Sequence, residues 1–385
     1  MTVVKLCFPG LANEAILRSE LRRLFAWIKQ RGLTAVVTAE RGQGTLTRHG
    51  LEEYVSDCVI LLDYRVVETI VTRRLRVVKY RGSSHGTNEY PFLIEETGIS
   101  VLPVTSLALK YSASDERVST GIPALDTMLG GQGYFRGSSI LVSGAAGTGK
   151  TSMTSHFVDA ACARGEKCIV LSFEESADQI TRNMRSIGLD LGNWVDKGML
   201  YFQSARPTSY GLESHLVKIH KIIKDVAPSI VVIDPINGLL HSGTSFEAGR
   251  MLLRLVDFLK EKRITALMTT LTSGAGMQEQ TDMEISSMAD AWLLLRDLES
   301  CGERNRGLYI LKARGAAHSN QIREFFLTDH GVELREVYLG EAGPLTGSAR
   351  VTQEARDTAN AQFAKQEIEA SNSCLNAAVR LWTQR

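Results

Sequence analysis

The chain has 385 residues, enough for two or three domains of ordinary size. Apolar residues make up 44% and charged residues 23%, a globular balance that excludes a disordered, collagenous or membrane-embedded chain. Its 44 basic and 43 acidic side chains leave a formal charge of +1, without the basic excess expected of a protein that grips long nucleic acid.

Six scattered cysteines (Cys7, Cys58, Cys162, Cys168, Cys301, Cys374) form no C-x-x-C pair and have no histidine at metal-ligand spacing, so reduced thiols are expected. No basic stretch followed by an apolar run opens the chain, and no apolar run approaches the ~18–20 residues that span a bilayer. A cytoplasmic protein without membrane contact is the expectation.

In chain order, Leu17, Leu21, Leu24, Phe25 and Ile28 predict an amphipathic helix over 13–31, and Thr34–Ala39 (TAVVTA) a buried strand. The segments SDCVILLD (56–63) and VVKYRG (77–82) follow, with a basic run at Arg73, Arg74, Arg76, Lys79 and Arg81. A short polar stretch, 110–116 (KYSASDE), has the character of a linker.

Beyond it, an apolar strand at 138–143 enters Gly144, Ala145, Ala146, Gly147, Thr148, Gly149, Lys150 and Thr151, the pattern G-x-x-x-x-G-K-[ST], followed by a helix-compatible run. Glycines let backbone N–H groups turn inward around a β-phosphate, the lysine reaches the β/γ oxygens, and the threonine hydroxyl can ligate Mg²⁺. The following helix aims its N-terminus at the phosphates. The strand at 168–172 ends in paired carboxylates, Glu174 and Glu175, suited to accepting a proton from water or a substrate hydroxyl. The strand 229–234 ends in Asp234, the form that holds Mg²⁺ beside such a loop.

The chain then repeats itself. Leu252, Leu255, Val256, Leu259 and Lys260 match Leu21, Leu24, Phe25, Ile28 and Lys29 at an offset of 231, and ITALMTT mirrors LTAVVTA. ADAWLLLR (289–296) and ILKARG (310–315) match SDCVILLD and VVKYRG at an offset of 233. The spacing predicts a duplicated domain whose first copy is expected to start near the middle of its own fold. A Gly/Pro break at 340–347 precedes an Ala-, Glu- and Gln-rich helical tail, where Ala361, Ile368, Leu375 and Trp382 make a weak coiled-coil seam or lie on a surface helix.

STGIPALDTMLGG (119–131), GAAGTGKT (144–151), FEES (173–176), RNMRSIGLD (182–190), LKARG (311–315) and, in the first copy, RRLRVVKYRGSSHGTNEYPF (73–92) together resemble the RecA-superfamily ATPases of KaiC type. The resemblance implies an α/β fold, a doubly wound RecA-like P-loop domain at 117–345. It is preceded by a truncated copy at 1–109 without a P-loop and a linker at 110–116, and followed by a helical tail at 346–385. It also implies a homohexameric ring with ATP and Mg²⁺ between neighbouring subunits, ATP hydrolysis, and autophosphorylation on neighbouring hydroxyls. The matching acceptors are Ser286 and Ser287, with Thr281 nearby, where the best-known clock members carry Ser-Thr. Lys312 and Arg314 would reach the neighbour's γ-phosphate, supplying the positive charge that phosphoryl transfer needs.

The chain departs from the family in having one P-loop: Val3 stands where the first copy would carry its Mg²⁺ aspartate, so Lys79 and Arg81 are expected to face no nucleotide of their own ring. The tail lacks the pattern associated with recruiting a clock activator, so signalling or clock-like regulation is expected rather than a circadian role. One rival is a RecA/RadA-like DNA-dependent ATPase, but the loop Thr272–Asp282 holds no Arg, Lys or aromatic residue to stack or pair with a strand, and no DNA is expected. The other is a non-catalytic scaffold assembled by ATP.

Overall fold

The computed structural model describes residues 14–41, 46, 52–67, 70–96, 98–101, 113–207, 211–242, 245–272, 284–300, 302–340 and 343–383. The chain divides into two compact units, residues 1–107 with 213–218, and the remainder.

In the first unit, the helices α1 (Glu14–Gln30) and α2 (Glu52–Val55) precede an antiparallel sheet. Its strands, β1 (Cys58–Val67), β2 (Ile70–Tyr80), β3 (Glu89–Glu95) and β4 (Gly98–Val101), lie in sequence order. The predicted helix is present, but the predicted strand at Thr34–Ala39 is not: these residues are irregular, with Val36 89% exposed. A β-prone run becomes a strand only beside a partner and under a covered face, and no described strand lies beside this one.

The second unit opens with β5 (Arg117–Val118), α3 (Pro123–Met128) and β6 (Tyr134–Phe135). There follow β7 (Ser139–Gly144), α4 (Lys150–Ala163), β8 (Cys168–Ser172), α5 (Ala177–Arg185), α6 (Leu191–Asp196) and β9 (Leu200–Ser204). Next come α7 (Leu212–Val226), β10 (Ile230–Asp234), α8 (Ser245–Glu261), β11 (Thr265–Leu271), β12 (Ala291–Ser300) and β13 (Glu303–Ala313). The unit closes with β14 (Arg323–Thr328), β15 (Gly331–Glu336), β16 (Tyr338–Gly340), β17 (Gly343–Leu345) and the tail helix α9 (Gly347–Thr383).

Nine strands form one sheet in the order β15-β14-β13-β12-β7-β11-β10-β8-β9. From β12 to β9 every pairing is parallel; from β12 to β15 every pairing is antiparallel. All residues of β7, β8 and β10 are buried. Strands covered on both faces need continuous apolar runs rather than alternation, which is why ILV, CIVL and IVVI read as they do. This doubly wound RecA-like arrangement opens crevices at the carboxyl ends of the parallel strands, where ligands of such sheets sit.

The duplication shows in the hairpins. β1 and β2 pair from Cys58–Tyr80, with a register shift between Val59 and Ile60. β12 and β13 pair from Ala291–Ala313, with a shift between Trp292 and Leu293, each position 233 residues later.

In the tail helix Ile368 is 61% and Phe363 68% exposed, while the side chains of Leu375 and Trp382 lie outside the described residues. Cys162 and Cys168 are buried free thiols and Cys58 an exposed one; Cys7, Cys301 and the side chain of Cys374 lie outside the described residues. Among the described residues no helix is long and apolar enough to cross a membrane.

Phe157 of α4 is 2% exposed and packs edge-on against Tyr134, with ring centroids 5.6 Å apart. Phe157→Ala is expected to lower the unfolding free energy of this unit by about 3–5 kcal/mol in urea titrations. Phe363→Ala is expected to change it by less than about 0.5 kcal/mol. Equal losses would contradict this placement of the core.

Candidate nucleotide site

The loop between β7 and α4 owes its shape to glycine at two positions. At Gly149, which precedes the first helical residue, φ is +99°, and a Cβ would stand 2.7 Å from the Phe325 ring. At Gly144 a Cβ would stand 2.3 Å from the Leu295 carbonyl oxygen. No other residue fits either position without moving its neighbours. The turn points the first amides of α4, whose first turn carries no acidic residue, into a cavity of about 420 Å³. Gly147, Lys150, Thr151, Glu174, Glu175 and Asp234 line it.

Lys150 is 7% exposed, and its ammonium donates to the carbonyls of Gly144 (2.8 Å) and Ala145 (2.7 Å). Burial pulls its pKa down, against the opposing pull of Asp234, Glu174 and Asp297. A buried ammonium hydrogen-bonded to neutral carbonyls gains further attraction from the full negative charge of a polyphosphate. Thr148 closes the loop by donating its hydroxyl to the Ala145 carbonyl at 2.9 Å.

Asp234 is 8% exposed and accepts the Thr151 hydroxyl at 2.7 Å on Oδ2 and the Thr269 hydroxyl on Oδ1. Next in line, Asn237 accepts the Thr270 hydroxyl (2.9 Å) and the Leu271 amide (2.6 Å), tying the end of β11 to the turn after β10. Thr269 and Asn237 escaped sequence reasoning. The pair of threonines at the carboxyl end of a strand flanking the P-loop strand was the available signal.

Glu174 and Glu175 lie between β8 and α5. The Phe173 amide donates to the Asp234 carbonyl at 3.0 Å, and Ser176 caps α5 reciprocally with Gln179, at 3.2 and 2.9 Å. Glu174 is exposed in the cavity. Glu175 is half-buried; burial, then the charges of Asp234 and Glu174, push its pKa up.

Ser286, Ser287, Lys312 and Arg314 form a second cluster. Ser286 and Ser287 end a 3-10 turn, Glu284–Ser287. The Lys312 ammonium donates to the Ser286 carbonyl at 2.8 Å, and Arg314 Nη2 to the Ser287 carbonyl at 2.9 Å. Asp290 organises the cluster. Its Oδ2 meets the Lys260 ammonium at 2.7 Å and accepts the Ser139 amide and hydroxyl, both at 2.9 Å, while its carbonyl accepts the Arg314 amide at 2.8 Å. Asp290 was not singled out in the sequence, although duplication marked it. In the first unit Lys29 meets Asp57 at 2.8 Å, and the Arg81 amide donates to the Asp57 carbonyl at 2.9 Å.

The two clusters lie at opposite edges of the sheet. Ser139, bound to Asp290, begins β7; Gly144, bound by Lys150, ends it. At about 3.3 Å per residue the strand separates them by roughly 17 Å. Within one chain the structure therefore unites the loop residues, Asp234, Glu174 and Glu175, and keeps Ser286, Ser287, Lys312 and Arg314 away from them. Thr281, Val3 and most of the loop Thr272–Asp282 lie outside the described residues.

Fold and loop define the chain as a RecA-like P-loop protein. A family model, the KaiC ATPase, matches residues 6–106 and 118–337. Over 373 residues the chain is 55% identical to the circadian clock protein KaiC2 of Synechocystis sp., covering 96% of this chain and 66% of that protein. It is 36% identical to KaiC3 of the same organism over 349 residues, which make up 90% of this chain and 69% of that one. It is 37% identical to the circadian clock oscillator protein KaiC of Synechococcus elongatus over 349 residues, 90% and 67% of the two chains. The chain thus spans about two thirds of the length of these relatives, and it belongs to the KaiC family of ATPases.

Burial pushes the Asp290 pKa up, but the Lys260 hydrogen bond, the Ser139 amide and the Lys260 charge outweigh it, leaving the pKa below the usual carboxylate range. A depressed folded pKa gives stability that is fully present above the unfolded value, about 4, and is lost as pH falls through the folded one. Asp290→Asn is therefore expected to cost roughly 2 kcal/mol at pH 7, with the deficit shrinking below about pH 4. Urea titrations at both pH values check this; a deficit that grows in acid would contradict it.

Proposed function

We propose that the chain binds ATP with Mg²⁺ in the β7–α4 loop, hydrolyses it, and transfers its γ-phosphate to Ser286 or Ser287 of an adjoining copy within a homo-oligomeric, hexameric ring. The observation that carries this reading is the length of β7: its two ends lie roughly 17 Å apart, with Asp290 and the serine turn at one and the loop at the other, a separation that favours service of the serines by another copy's nucleotide.

Gly144, Ala145, Ala146, Gly147, Thr148, Gly149, Lys150 and Thr151 would cradle the phosphates with amides and one ammonium. The Thr151 hydroxyl and Asp234 carboxylate are hard oxygen donors already in contact, a set that suits Mg²⁺ directly or through its water shell. Bound there, the ion would supply positive charge to the phosphate oxygens. Glu174, exposed in the cavity, accepts the proton of the attacking hydroxyl. The serine Oγ forms a bond to the γ-phosphorus, the bond from that phosphorus to the β–γ bridging oxygen breaks, and ADP leaves with the electron pair. With water in place of serine, the same balance gives hydrolysis. Glu175 lies beside Glu174, its pKa raised by burial and by the charges of Asp234 and Glu174, and shapes the field in which Glu174 works. Lys312 and Arg314 reach the same phosphate from the adjoining copy and offset its developing charge.

A mixing experiment tests the reading. Lys150→Ala chains bear intact serines without a working loop; chains carrying Ser286→Ala and Ser287→Ala bear the loop without acceptors. Incubated with Mg·ATP, neither alone should incorporate phosphate, and the mixture should carry it on Ser286 or Ser287 of the Lys150→Ala chain, as mapped by mass spectrometry. Glu174→Gln in the loop-bearing chain should reduce incorporation by about 10²-fold or more. Phosphate elsewhere, or none in the mixture, overturns the transfer reading.

A further inference from the structure

Lys312 and Arg314 are both committed to main-chain acceptors, and those acceptors are the carbonyls of the two candidate phosphoacceptor residues, Ser286 and Ser287. The surroundings are rich in positive charge. Lys260, Lys312 and Arg314 converge on Asp290, with Lys260 at 2.7 Å and Arg314 at 3.8 Å. The Lys312 pKa is pulled down by burial and then by the charges of Arg314 and Lys260, with Asp290 opposing. Among the described residues three cations surround one carboxylate, a setting that attracts an anion.

The arginine's hold belongs to the fold rather than to the serine. In the first unit Arg81, 233 residues before Arg314, donates to the carbonyl of Tyr54, 233 residues before Ser287, at 3.1 Å. In the second unit the same hold falls on a hydroxyl residue at an edge that meets no phosphate of its own chain.

We propose that Lys312 and Arg314 form a latch on the acceptor turn: a nucleotide phosphate presented by a second copy competes with the Ser286 and Ser287 carbonyls for these two cations, and by taking them frees the turn for transfer. This rests on the reading that this edge serves a nucleotide held by another copy. While the carbonyls hold the cations, the main chain of the turn occupies the place beside the ammonium and guanidinium that a phosphate needs, and Ser286 stays half-buried. A neutral carbonyl is the weaker partner, since an ionised phosphate oxygen adds the attraction between opposite full charges. The latch therefore opens when a loaded loop arrives and stays shut opposite an empty one. Acceptor release is coupled to occupancy of the neighbouring site, with the same two side chains acting first as restraint and then as charge donors.

Hydrogen-exchange mass spectrometry on the full chain tests this through the peptide covering 284–290. Saturating Mg²⁺ and a non-hydrolysable ATP analogue should speed its exchange by at least about tenfold, the turn losing two hydrogen bonds from charged donors. In the variant Lys312→Gln with Arg314→Gln, exchange should be fast without nucleotide and unchanged by it, while β7 and β11 peptides exchange as in the wild type. Lys150→Ala chains should show release only when mixed with wild-type chains. An unchanged or slower turn in nucleotide-saturated wild type overturns the latch, whatever the variants do. Phosphate mapping after Mg·ATP on the same preparations separates the two readings. Phosphate on Ser286 or Ser287 without turn release removes the latch and leaves transfer standing; release without phosphate there removes transfer instead.

Discussion

The length of one strand constrains everything else in the second unit. β7 runs from Ser139, whose amide and hydroxyl are taken by Asp290, to Gly144, whose carbonyl is taken by Lys150. Because β7, β11, β10, β8 and β12 all run the same way, each delivers its carboxyl end to one edge and its amino end to the other. The phosphate loop, Asp234 and the glutamate pair gather at the first edge. The cations and serines gather at the second. No side-chain rotation spans that distance, so in the proposed reaction the chemistry is divided between copies by the geometry of a parallel sheet.

The second edge is built as carefully as the first. A lysine from the end of a helix, an aspartate before a strand and an arginine after its hairpin partner lock together in both units, as Lys29, Asp57 and Arg81 and as Lys260, Asp290 and Arg314. The hairpins share even the position of their register shift. A bulge re-aims the side chains that follow it and sharpens the local twist, and here it lies within two residues of Lys79 and Lys312 in the paired register. The phosphate loop has no such twin in the chain, whereas the cationic hairpin has one.

What could be read from the sequence was what lies contiguous along it. The loop 144–151, the apolar runs ending in Asp234 and Glu174, and the helices at 14–30 and 347–383 all declare themselves through local spacing, because each needs only its own residues to define its shape. Thr269, Asn237 and Asp290 act across strands that are neighbours in space but 34 to 151 residues apart in the chain, and no local pattern marks them. Asp290 was legible in principle because its equivalent recurs in the first copy. The run TAVVTA misled because β propensity reports a fit to a sheet, and the counterpart run ITALMTT fits one only because β7 and β10 flank it. That Lys312 and Arg314 hold the backbone of the serines themselves could not be foreseen, since it depends on where a 3-10 turn places two carbonyls.

A site completed by a neighbour must lose activity on dilution. The most direct measurement is ATP turnover per chain at saturating Mg·ATP across a dilution series, with the mass of the species recorded at each step. The divided site requires specific activity to fall together with the oligomer and to vanish in samples holding monomer alone. Undiminished turnover by a monomer would contradict it.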